Sequence, residues 1–156
     1  MLQDADALIQ KAGNKYLHGN SIGMESSEHI GYPRWWIYPY ISRYYISDEN
    51  PSEIKAIGMI FIDPDQSPTH PIILIGCFQS LGDPAVDNKY SYRYLSDSWF
   101  KLIAERELGV EYQVEGLNNA KCGVVKGFDI NEIPDLETLN EKIVKPLLAM
   151  NCQDVQ

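Results

Sequence analysis

Arg34 and Arg43 stand inside GYPRWWIYPYISRYY, residues 31–45, where seven aromatic side chains fall between Tyr32 and Tyr45 in a chain that is 11% aromatic. Guanidinium groups set against π faces hold planar ligands or the anchor residues of a partner protein. Rings also build cores, each burying roughly 150–250 Å² when covered. The spacing divides the block accordingly. Trp35, Ile37 and Ile41 are expected in the core, while Trp36, Tyr38, Tyr40 and Tyr44, with Arg34 and Arg43, form a surplus aromatic surface for a partner or ligand. Tyr92 and Tyr94 alternate with Arg93 in KYSYRYLSDSWF and extend that surface, since tyrosine and arginine enrichment is typical of interfaces.

Three further groups carry chemistry in principle. Asp63 and Asp65 with His70 offer oxygen and imidazole ligands, yet Asp and Pro are turn formers, and no EF-hand or HExxH pattern supports a metal there. Cys77 or Cys122 could meet His18, His29 or His70 as a nucleophilic pair, but Cys77 lies in the most apolar stretch, where a thiol is an inert hydrophobe with a raised pKa. Glu105, Glu107, Glu111 and Glu115 could supply paired carboxylates. Their positions on polar faces make Glu111 and Glu115 part of an acidic surface instead. Neither a catalytic residue nor a cofactor or metal is therefore assigned, and no GxGxxG, P-loop, GxSxG or CxxC pattern occurs.

The elements that must position these groups follow from periodicity. Ala5, Leu8, Ile9, Ala12 and Tyr16 predict an amphipathic helix over residues 3–17. The aromatic block reads as a strand over 34–47, bent where Pro39 marks an edge or bulge. One of its faces would carry Ile41, Arg43 and Tyr45 and the other Tyr40, Tyr44 and Ile46. Ile54–Ile62 and Pro71–Gln79 are the next strands, the latter so apolar that it must be central. A helix from Ser96 through Leu108, a hairpin of 110–114 with 121–128, and a final helix behind Asp135 complete the chain. In that helix Leu136, Leu139, Ile143, Leu147 and Met150 share a stripe, and Pro146 should kink or split it. The expectation is an α+β fold in the order α-β-β-β-α-β-β-α: one domain, 1–156, with a mostly antiparallel five-stranded sheet, helices packed on it, and a frayed tail from residue 152. This order is similar, in topology alone, to that of type III secretion chaperones.

The 156 residues carry 13 basic and 22 acidic side chains, net −9, which disfavours nucleic acid and steers basic partners. Three cysteines without CxxC spacing, no glycosylation sequon, no signal-peptide pattern and no bilayer-length apolar run point to a cytoplasmic protein off the membrane. The composition fits a non-enzymatic protein-binding domain, of the immunity, inhibitor or secretion-chaperone kind, that takes a basic partner through an aromatic and acidic face. A homodimer is compatible with the same surface. The alternative is a small-molecule-binding protein or small enzyme with an aromatic-lined pocket.

Overall fold

A computed structural model describes residues 1–17, 22–23, 40–60, 71–84, 106–114 and 120–152. Helix α1 (Leu2–Lys11) buries Ala5, Asp6 and Ile9 on one stripe, with Asp4 in its first turn and Lys11 in its last. It stops six residues short of the expected end. Gly13, at φ +89°, takes the left-handed conformation that closes a helix, and the chain then enters strand β1 (Asn14–Tyr16).

Two further strands, β2 (Ile22–Gly23) and β3 (Tyr40–Ser47), lead into β4 (Glu53–Ile60) and β5 (Ile72–Ser80). Strands β6 (Glu111–Val114) and β7 (Ala120–Asp129) pair as the expected hairpin, Val114 opposite Gly123. The strands form one antiparallel sheet in the order β1-β3-β4-β5-β7-β6, with β2 beside β1 on the outer side of β3. The described residues thus contain seven strands rather than five. The two extra ones are too short for alternation to reveal. They also make β3 an interior strand; Pro39 itself lies outside the described residues.

Strand β5 runs between β4 and β7 with Ile72 to Phe78 all buried, the central position its apolar run requires. Phe78 is 0% exposed, and a Cβ on its cross-strand partner Gly123 would lie 2.4 Å from Phe78 Cδ1. Only glycine leaves room for that ring.

After a 3₁₀ turn (Ile130–Glu132), the C-terminal helix runs as α2 (Leu136–Leu139), a π-helical turn (Asn140–Val144) and α3 (Lys145–Ala149). Asp135 caps it, accepting a 2.8 Å hydrogen bond from Thr138 N–H, which holds its carboxyl below the usual aspartate pKa. The split expected at Pro146 takes the form of the π turn immediately before it. Proline cannot donate, and its ring crowds the carbonyl four residues back, so the widened turn relieves both constraints. Leu139, Ile143, Leu147 and Met150 are buried as expected, whereas Leu136 is 56% exposed.

This helix and α1 cover one sheet face, where Ile57, Ile73, Ile75 and Tyr45 join Ile9, Ile143 and Leu147 in one core. The opposite face carries a second core around Tyr44, Ile54, Leu74, Phe78 and Val125. Of the expected helix 96–108, residues 96–105 lie outside the described residues, and 106–110 form a turn.

Candidate functional site

The chain's three cysteines, scattered in sequence, converge at one end of the helix-covered face. Strand alternation puts Glu53 and Lys55 of β4, Cys77 and Gln79 of β5, and Cys122 and Val124 of β7 on the same side. They form two rungs across the sheet, Glu53 to Gln79 to Cys122 and Lys55 to Cys77 to Val124. The end of α3 then brings Met150 and Cys152 over them.

Lys55 is only 7% exposed, and its ammonium is held by Met150 C=O at 2.6 Å and by Glu53 Oε1 at 3.1 Å. These partners offset the cost of burying the charge. Gln79 Nε2 donates to Ser52 Oγ at 2.9 Å. The Cys77 thiol lies near Glu53 and Lys55, with the backbone of Cys152 beside it. Cys152 comes near Cys122 and Gln79. Burial pushes Cys77 up to about 12, with Lys55 pulling the other way and Glu53 adding to the rise. Cys152 is raised to about 12 as well, by burial first and then by the neighbouring Cys122. Both are held as thiols at neutral pH, and neither is a resting nucleophile. Among the described residues no group of three or more His, Cys, Asp or Glu side chains is placed to hold a metal ion.

A second feature adjoins it. Strand β6 pairs, among the described residues, with β7 alone, and a groove of about 600 Å³ lies between it and the end of α3, lined by Glu111, Gln113, Val124, Pro146, Met150 and neighbouring residues. Glu111 and Gln113 are exposed along it, and Glu111 makes no ion pair among the described residues.

The residues expected to bind a partner divide sharply. Arg34, Trp36, Tyr38, Tyr92, Tyr94 and Glu115 lie outside the described residues, and of Tyr40 only the strand backbone is described. Tyr44 belongs to the core, not to a surface: it is 1% exposed and accepts from Ser42 Oγ at 3.4 Å. Strand β3 is interior and covered on both faces, so neither of its adjacent tyrosines 44 and 45 reaches solvent. Arg43 points toward α1 and donates to Asp6. Cys152, expected to start a frayed tail, is half-buried against the helix-side core. Among the described residues of the expected site, Glu111 alone is placed on the exposed surface.

Lys55, Glu53 and Asp6 had no place in the expected site. A signal for the first two was present, since Glu53 and Lys55 are the only charges in EIKAIGMI and alternation puts them on one face. Among the described residues no helix is long and apolar enough to cross a membrane. Comparison of the chain with protein-family models, with curated proteins and with solved structures returns no match.

Proposed function

We propose that this chain is an acidic protein-binding domain without enzymatic activity, of the kind that inhibits or chaperones a basic partner. The observation that carries this reading is the groove beside β6, on a chain of net charge −9. An edge strand offers backbone hydrogen bonds to an added extended segment. Glu111 and Gln113 face that segment, and Glu111, which makes no ion pair among the described residues, supplies a carboxylate for a lysine or arginine side chain. The net field steers a cationic partner toward the domain and speeds its encounter. Three cysteines held as thiols rather than disulfides suit a reducing, cytoplasmic setting.

Fluorescence anisotropy with labelled lysine-rich peptides of about ten residues tests the reading, because strand addition needs only a short extended segment. Saturable binding that weakens with salt and falls roughly 3- to 10-fold in Glu111→Lys supports it. Binding unaffected by that substitution, or no binding at low salt, removes its support.

A second reading rests on the groove's volume, since small-molecule sites occupy about 300–1,000 Å³. Among the described residues Tyr112 is the one aromatic lining it, fewer than such sites commonly use. Thermal shifts with small aromatic and cationic compounds distinguish the two readings.

A further inference from the structure

We infer that the partner segment added to β6 carries an aliphatic side chain and a lysine or arginine two positions apart, both on the strand face turned toward α3. This deepens the strand-addition reading and rests on it. Cross-strand register fixes which side chains share that face. Gln113 lies opposite Val124, on the rung that runs through Cys77 to Lys55, and Glu111 lies one rung on, opposite Lys126. The first rung is apolar where it meets the helix. Lys55 holds the Met150 carbonyl at 2.6 Å, so Met150 and Val124 stand as a preformed wall of the groove beside Gln113. The second rung is charged. Glu111 is exposed and makes no ion pair among the described residues, while the ammonium of Lys126 lies over the Phe128 ring, 5.5 Å from its centroid.

A strand laid along β6 turns alternate side chains to this face, so one of them meets the apolar wall and the next meets the carboxylate. The intervening side chains turn to the opposite face. There Tyr112 donates to the Glu107 carbonyl at 3.2 Å, and Arg106 sits over its ring, 5.1 Å from the centroid. That guanidinium makes the opposite face unfavourable for a second cation, which confines the positive charge of the segment to the groove face. Strand β6 has four residues. At about 3.3 Å each they pair with a stretch of roughly 13 Å, enough for one such aliphatic and basic pair.

The test uses the full chain and two labelled peptides of identical composition, each about eight residues long, read by fluorescence anisotropy at low salt. One repeats Leu-Thr-Lys-Thr, which puts leucine and lysine on one face of a strand; the other repeats Leu-Lys-Thr-Thr, which puts them on opposite faces. The first is expected to bind roughly 5- to 10-fold tighter. Glu111→Lys removes most of that preference. Ala149→Trp, at an exposed position lining the groove, fills it and weakens the first peptide roughly 5-fold or more while the melting temperature is unchanged. Equal or reversed affinities, with both peptides weakened by Glu111→Lys, overturn the pattern and leave the strand-addition reading standing. Binding that Ala149→Trp leaves unchanged puts the contact away from the groove and also overturns it. No binding by either peptide removes the strand-addition reading and the pattern together.

Discussion

The Tyr45 hydroxyl donates to one oxygen of Asp6, a carboxylate on the buried side of α1 that is 4% exposed, while Arg43 donates to the other oxygen. Two residues of β3 on the same face thereby hold the first helix to the sheet through one side chain. Asp6→Ala leaves a largely buried guanidinium and a buried hydroxyl without this acceptor, and should lower stability by about 3 kcal/mol. Tyr45→Phe removes one donor only and should cost about 2 kcal/mol. Urea unfolding measures both. A near-neutral Asp6→Ala would show that α1 docks by apolar contact alone.

Gly123→Ala drives a methyl group into the Phe78 ring, and because that ring is buried it cannot swing clear. Overpacking of this type costs about 1–3 kcal/mol. Adding Phe78→Leu to Gly123→Ala should relieve part of the clash. A coupling near zero in the double-mutant cycle would contradict the contact.

Lys55 holds the last carbonyl region of the C-terminal helix from a buried position. Lys55→Ala should cost about 3 kcal/mol, since it strands Glu53 and the Met150 carbonyl, whereas Lys55→Met with Glu53→Gln should recover much of that loss. Hydrogen exchange should report earlier opening at residues 147–152 in the single variant. Uniform acceleration across the chain would count against a local clamp.

Alkaline pH should weaken the fold in part through the thiols. Cys77 and Cys152 are raised to about 12 in the folded chain from about 9. Below pH 9 both states hold these protons and the thiols contribute no slope. Between 9 and 12 the unfolded chain releases protons that the folded chain retains, so stability falls as pH rises. Cys77→Ala removes one such group and should flatten the decline between pH 9 and 11 in urea titrations. An unchanged slope would mean that Cys77 ionises in the folded chain as readily as in the unfolded one.

Much of the sheet was legible because its strands obey local rules. PIILIGCFQ had to be central, and the alternation of Glu111 to Val114 marked a half-exposed strand beside β7. The short β1 and β2 were not legible, since three and two residues carry no period, and Ala12 and Tyr16 prolonged the helical pattern past the stop at Gly13. Tyr44 was misplaced because aromatic residues on both faces of one strand do not reveal which face is covered; here both are. The cysteine cluster depended on cross-strand register and on where α3 ends, and neither can be read from residues so far apart in sequence.

Pro146 reaches further than its own turn. Leu139, Ile143 and Leu147 follow one another at spacings of four, and on a regular helix each such step overshoots the buried face by about 40°. The π turn between Asn140 and Val144 unwinds the backbone where that error would accumulate, returning α3 to phase with the sheet. A residue that merely lacks an N–H thus sets the angular position of everything after it, including the sulfur of Cys152.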